Sequence, residues 1–251
     1  MKLGLFYQSA NNYVACYMAT RQFRKFYPDA PVAFWEDAPD SDLIYQPIAE
    51  EFNLDYKTTG WDNAGALRYK TPAGALKYLD RVAHSCSTTL SDVDWVVNFE
   101  DDVWTNKRAK GPPPWDFAGA NNCVWTPQLI EYLEERLETK IENHFHSKRG
   151  SLFNYGMHGG TIFNREKFLE AYADVSTIDW DYIQLLDYRV TGFTDALLTF
   201  LCVSAGFTYG YWDDHDWRNE GRNTTKAFTH PFKKYYRYPK EKLARAIKEE
   251  P

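Results

Sequence analysis

The apolar run LGLFYQ, Leu3 to Gln8, breaks at the polar stretch SANN and gives way to YVACYMATRQFRKFY, where apolar residues recur at three- and four-residue spacing. A short continuous run predicts a buried strand and the wider spacing an amphipathic helix, so the chain opens strand, loop, helix. Pro28 ends that helix, and Val32 to Trp35 form a second strand that closes on Glu36 and Asp37. DLIYQPIAEEF reads as a helix and LDYKTT as a short third strand. Gly60 to Pro72 reads as a loop, after which AGALKYLDRVAHSC resumes helical spacing and leads into the strand WVVNF, Trp95 to Phe99.

Beyond that strand, KGPPPWDFAGA predicts an irregular crossing followed by a short strand. TPQLIEYLEERLETKIENHF predicts one long helix with Pro127 in its first turn. YGMHGGTIFNREKFLEAY predicts a glycine-rich turn, a strand, and a helix starting near Arg165, and FTDALLTFLCVSAGF a buried helix capped by Gly206. From Trp212 onward aromatics, His and Lys follow one another without periodicity. Strands alternating with helices predict an α/β fold, with a mostly parallel, twisted central sheet covered by helices on both faces. With 251 residues, 44% of them hydrophobic, the chain is read as a single domain, 1–251, whose first hundred or so residues fit a nucleotide-binding half.

Charge and cysteine usage narrow the function. A formal net charge of −6 provides no overall positive field for a polyanion, so nucleic acid is not expected as a partner. Cys16, Cys86, Cys123 and Cys202 are scattered without a CxxC pair, which argues against a structural zinc or a disulfide framework and for a reducing compartment. The apolar run after Lys2 is too short for a signal peptide, and no segment reaches membrane-span length, so a cytoplasmic location is expected. Asn223-Thr224-Thr225 fits a glycosylation sequon but is read as a polar loop. The aromatic share of 17% suits sugars and nucleobases as well as it suits a core.

One stretch does not fit a plain core. WVVNFEDDVW drives an apolar strand into Glu100, Asp101 and Asp102. Adjacent like charges repel, and a carboxylate leaving water costs several kcal/mol, on the order of that for any unpaired buried charge, unless a cation or donors meet it. In an open parallel sheet ligands gather at the carboxyl ends of strands, so these acids are expected to hold Mn²⁺ or Mg²⁺, with phosphate oxygens filling the remaining positions. The alternative is a solvated cap of the following turn.

This order of elements, with an acidic triplet after a central strand, resembles the glycosyltransferases of the GT-A fold and their DxD-type motif in its EDD form. The absence of an anchor resembles small bacterial or large-virus members. By that resemblance Asp102 is the direct metal ligand, while Glu100 touches the sugar and Asp101 the nucleotide. The resemblance also maps the nucleoside to Tyr7, Gln8, Ser9 and Asn12 and to Glu36 and Asp37, although each is equally readable as a polar loop residue. Arg68 and Lys70 would neutralise the diphosphate or form a solvated basic pair. Gly159 and Gly160 would lie beneath the transferred sugar with His158 on its hydroxyls, and Asp195, at a helix start, would be the base of an inverting reaction. Asp179, Asp181 and Asp187 are substitutes for that base. His230 would complete the metal shell, with His215 the weaker choice, and Lys233 and Lys234 would meet phosphate or water.

The resemblance therefore implies transfer of a sugar from a nucleotide sugar, a UDP-sugar, to a glycan or other hydroxyl acceptor. Residues 106–251 would form the acceptor and sugar half, with a closing C-terminal segment. Two rivals remain. A sugar-phosphate nucleotidyltransferase would carry a glycine- and lysine-rich loop after the first strand, and SANNY has neither residue. A non-catalytic carbohydrate-binding protein would more often be a β-sandwich, against the alternation of helices and strands.

Overall fold

Strand β1, Leu3–Ser9, feeds helix α1, Tyr13–Phe26, and the chain continues through β2 at Val32–Glu36, α2 at Gln46–Phe52 and β3 at Asp55–Thr58. Helix α3, Pro72–Ser87, leads into β4, Trp95–Phe99. The computed structural model describes residues 1–10, 12–37, 45–58, 71–119, 126–146, 159–185, 193–217 and 225–250, less the side chains of 145–146, 183–185, 193–196 and 217.

The second half contributes β5 (Trp104–Thr105), β6 (Phe117–Gly119), α4 (Pro127–Leu137), β7 (Phe145–His146), β8 (Ile162–Asn164) and α5 (Arg165–Ala173). It ends with α6 (Phe193–Ser204), β9 (Tyr209–Tyr211), β10 (His215–Trp217), β11 (Phe228–His230) and α7 (Leu243–Glu249). Among the described residues, eight strands pair in the order β3-β2-β1-β4-β8-β6-β9-β7. All pairs are parallel except those made by β8, which runs against both β4 and β6. A second sheet, β10-β11-β5, stands apart from the first.

Alternation along the strands divides the core in two, as the two-residue repeat of a strand requires. Phe6, Ala33, Val96, Phe117 and Phe163 face α3, α4, α5 and α6. Leu5, Tyr7, Phe34, Val97, Phe99 and Ile162 face α1, α2, α7 and the small sheet. The mixed α/β domain with helices on both faces is therefore as the sequence predicts. Among the described residues no helix is long and apolar enough to cross a membrane.

Two elements differ from expectation. The helix predicted over 126–145 stops at Leu137, because Glu138 turns left-handed at φ 51° and the Glu134 carboxylate takes the backbone N–H of Ile141 at 3.1 Å. One 3-10 turn, Ile141–Asn143, then delivers Phe145 and His146 to the sheet edge beside β9. The unpatterned end of the chain supplies two strands: Trp104 and Thr105 pair with Thr229 and Phe228, and His215 to Trp217 pair with Phe228 to His230.

Helix starts follow their caps. Thr71, Thr126 and Asn164 each accept a backbone N–H from three residues on, at 3.1, 3.3 and 3.0 Å, the usual way of satisfying an orphan donor. Asn12, ahead of α1, makes no such bond.

Candidate active site

β1 is the switch point of the sheet: β2 and β3 lie to one side of it and β4 to the other, leaving a crevice at the carboxyl ends of β1 and β4 where ligands gather. Glu100, Asp101 and Asp102 follow β4 into that crevice, in a turn closed by the Val103 N–H on the Glu100 carbonyl at 3.0 Å. The C-terminal segment meets the turn from above, the Phe232 N–H donating to the Asp102 carbonyl at 2.7 Å.

The neighbouring side chains of the triplet diverge. Glu100 and Asp102 turn toward His230, whose Nε2 lies 3.3 Å from Asp102 Oδ1 and 3.8 Å from Glu100 Oε2. One ligand atom from each of the three lies within 4.8 Å of the others, and among the described residues they form the one such group. Neighbouring ligands around an octahedral ion with bonds of ~2.1 Å sit roughly 3 Å apart. Two hard carboxylate oxygens and an imidazole at these separations fit Mn²⁺ or Mg²⁺. Glu100, expected in the surrounding shell, thus stands in the metal-capable group itself.

Asp101 points the other way, into the interior. The Tyr7 hydroxyl donates to its Oδ1 at 3.1 Å. Burial drives the Asp101 carboxyl up to about 8; the neighbouring Ser9, Tyr7 and Asn12 pull it down, and the charge of Asp102 adds to the rise. Asp102 behaves oppositely. Burial alone would raise its carboxyl, but His230, by charge and hydrogen bond, and the charge of Lys233 hold it below the usual carboxylate range.

Glycines build the wall on the far side of the triad. A Cβ at Gly159 would lie 2.6 Å from Val103 Cγ2, 3.1 Å from His230 Cδ2 and 3.3 Å from Glu100 Oε2, so only a bare α-carbon fits. Gly160 adopts φ +85° with its N–H on the Asn98 carbonyl at 2.7 Å, and its open face meets the ring of His215. His215 therefore packs behind the glycines, outside the metal-capable group.

The nucleoside candidates line the strand ends. Gln8 is half-buried beside Trp35, and Ser9, buried, pairs in register with Glu36. Burial raises the Glu36 carboxyl, offset by a hydrogen bond from the Tyr56 hydroxyl. Asp37, 3% exposed, forms an ion pair at 2.5 Å with Arg81 of α3, whose guanidinium also covers Trp35 and Tyr78. Asn12 accepts the Arg237 N–H at 3.3 Å and donates its own backbone N–H to the Tyr45 hydroxyl at 2.8 Å, which ties the C-terminal segment to the β1 end. Lys233 is exposed and acts on Asp102, whereas Lys234 is engaged by Glu249 and Glu250.

Arg68, Lys70, His158 and Asp187 lie outside the described residues, as does the side chain of Asp195, whose backbone occupies the first turn of α6. Asp179 and Asp181 are exposed, and the backbone N–H of Asp179 binds the Tyr132 hydroxyl of α4 at 2.9 Å. Arg81, Tyr56 and Tyr236 were not singled out by the sequence. Burial raises the Tyr236 hydroxyl, Asn12 lowers it, and the charges of Asp102, Asp101 and Glu100 raise it further, which places it at the site. Its position among the basic residues of KKYYR is the signal that was present.

No protein-family model and no curated protein matches the chain. Among solved structures, the galactosyltransferase LgtC in complex with donor and acceptor sugar analogs is similar at a TM-score of 0.51 and 12% identity, over 98% of this chain and 95% of that one. An active-site mutant of LgtC gives 0.49 and 15% over the same shares. A cytidylyltransferase from Leptospira borgpetersenii gives 0.38 and 10%, over 84% of this chain and 76% of that one. The chain thus has the architecture of LgtC, the GT-A fold.

Proposed function

We propose that this chain is a metal-dependent glycosyltransferase that moves a sugar from a nucleotide sugar, with UDP as the nucleotide, to a hydroxyl of a glycan or other acceptor. The observation that carries the reading is the convergence of Glu100, Asp102 and His230 at the switch point of a GT-A sheet. A divalent ion held by these three would offset the charge that develops on the leaving diphosphate.

The chain's own residues supply the rest. Lys233 adds a positive charge on the same side, as phosphate oxygens require. Gly159 and Gly160 leave the backbone bare where the sugar would rest, and the β1 and β2 ends present Gln8, Ser9 and Glu36 to the nucleoside. Asp195 in the first turn of α6 is the residue proposed to take the acceptor proton in an inverting reaction.

A panel of nucleotide sugars with Mn²⁺, read by thermal shift and by release of free nucleotide, tests the reading. Stabilisation by one UDP-sugar together with UDP release supports it. Release of pyrophosphate from a nucleoside triphosphate and a sugar phosphate would replace it with nucleotidyl transfer. The anomeric configuration of the product, followed by NMR, tests the role given to Asp195.

A further inference from the structure

The middle acid of the triplet faces away from the other two. Asp101 is 8% exposed and sends its carboxyl between β1 and α1. The Tyr7 hydroxyl that meets it lies 3.1 Å from Oδ1 and 3.4 Å from the Cys16 carbonyl, so the carboxylate is the nearer acceptor for the one proton available. Tyr7 cannot easily move. It is fully buried in the middle of the sheet, its ring edge-on to Phe34 and Phe99 with centroids 5.0 Å away in each case, and it pairs in register with Phe99, the residue just before the triplet.

We propose that Asp101 and Tyr7 are positioning residues for the metal-capable triad: their buried hydrogen bond locks the turn so that Glu100 and Asp102 both face His230. The inference rests on the metal reading above and deepens it. A turn of three acids has no reason of its own to send the first and third the same way, because that brings two like charges together in a partly buried crevice. Anchors on two sides hold the arrangement, with Ser9 and Asn12 beside Tyr7 on the inner one. The Phe232 N–H holds the Asp102 carbonyl from the side of the C-terminal segment. Tyr7 holds the Asp101 side chain from the side of the sheet, and it does so from the rigid neighbour of β4 rather than from a loop. An alanine at position 101 would avoid the desolvation of a buried carboxyl, but it would leave the turn tied on one side only. Hydrogen bonds to groups that orient metal ligands commonly matter for affinity although they never touch the ion.

The test is Mn²⁺ binding by the nucleotide-free protein, followed by the EPR signal of free Mn²⁺, for wild type, Tyr7→Phe, Asp101→Asn and Asp101→Leu. Circular dichroism and thermal unfolding without metal accompany each titration. Asp101→Asn keeps an acceptor for Tyr7 and is expected to hold Mn²⁺ within about threefold of wild type, whereas Tyr7→Phe and Asp101→Leu are expected to weaken it by on the order of tenfold. A purely structural role would lower the metal-free melting temperature while leaving Mn²⁺ affinity unchanged, and that result overturns the proposal. Should Asp101→Leu fail to fold, Tyr7→Phe carries the comparison, and wild-type affinity in that variant overturns it equally. No Mn²⁺ binding by wild type would instead remove the metal reading itself, and the proposal with it.

Discussion

His230 Nε2 lies 3.3 Å from Asp102 Oδ1, although 128 residues separate the two along the chain. β11 delivers the imidazole and the turn after β4 the carboxylate, and the two segments are tied by the Phe232 N–H on the Asp102 carbonyl. Removing either side chain leaves the crevice one donor short. Asp102→Ala and His230→Ala are each expected to weaken Mn²⁺ by at least the roughly 10- to 100-fold typical of lost support around a metal. EDTA should abolish UDP-sugar turnover in wild type, and added Mn²⁺ should restore it. Turnover of Asp102→Ala at the wild-type rate would sink the assignment.

Gly159 offers a test that adds a single methyl group. Its Cβ would meet Val103, His230 and Glu100 at 2.6 to 3.3 Å, so Gly159→Ala must displace the triad or the strand behind it. Overpacking of this kind costs about 1–3 kcal/mol. Urea unfolding should show a loss of that size, with metal affinity and turnover falling together. Gly111→Ala, where a Cβ meets nothing within 4 Å, serves as the control.

The Asp37–Arg81 pair predicts a stability effect at the edge of the nucleoside crevice. Both side chains are largely buried, at 3% and 11% exposure, so Arg81→Ala removes the guanidinium from beside a carboxylate in a low-dielectric place. Breaking such a pair from one side costs about 3–5 kcal/mol. A denaturation midpoint unchanged from wild type would contradict the geometry.

Thiol chemistry gives a prediction with a pH sign. Burial pushes the thiols of Cys16 and Cys202 far above their ordinary value and that of Cys86 up to about 12. These three should resist a thiol reagent at pH 8 in the native protein and react only on unfolding. Because the folded Cys86 thiol holds its proton beyond the ordinary value of 9.0, its contribution to stability is complete below pH 9 and is lost as the pH climbs toward 12. Rapid labelling of more than one thiol in the folded protein would contradict this burial; Cys123 lies outside the described residues.

Much of the fold was legible because local pattern and long-range packing agree in the first half. β1, α1, β2, α3 and β4 each carry the periodicity of the face they bury, and Pro28 marks an end that the backbone respects. The second half was less legible for physical reasons. β5, β7, β9, β10 and β11 are two or three residues long, too short for a two-residue period to be seen, and they exist because a neighbouring strand pairs with them. Helix α4 ends where the Glu134 side chain captures a backbone N–H seven residues on, a contact no window of hydropathy contains.

The sequence by itself determined the α/β alternation, the placement of three acids at the end of an apolar strand, and hence the demand for a positive partner there. It also contained His230 and Lys233 as chemically suitable candidates. Only the tertiary structure decided which acids act together. A triplet read along the chain is three equivalent carboxylates, but the side to which each turns after β4 is set by partners from distant segments. Tyr7 of β1 draws Asp101 inward, while β11 brings His230 to Glu100 and Asp102. Charge can be counted in a sequence; the direction a charged side chain faces depends on the partners that folding places around it.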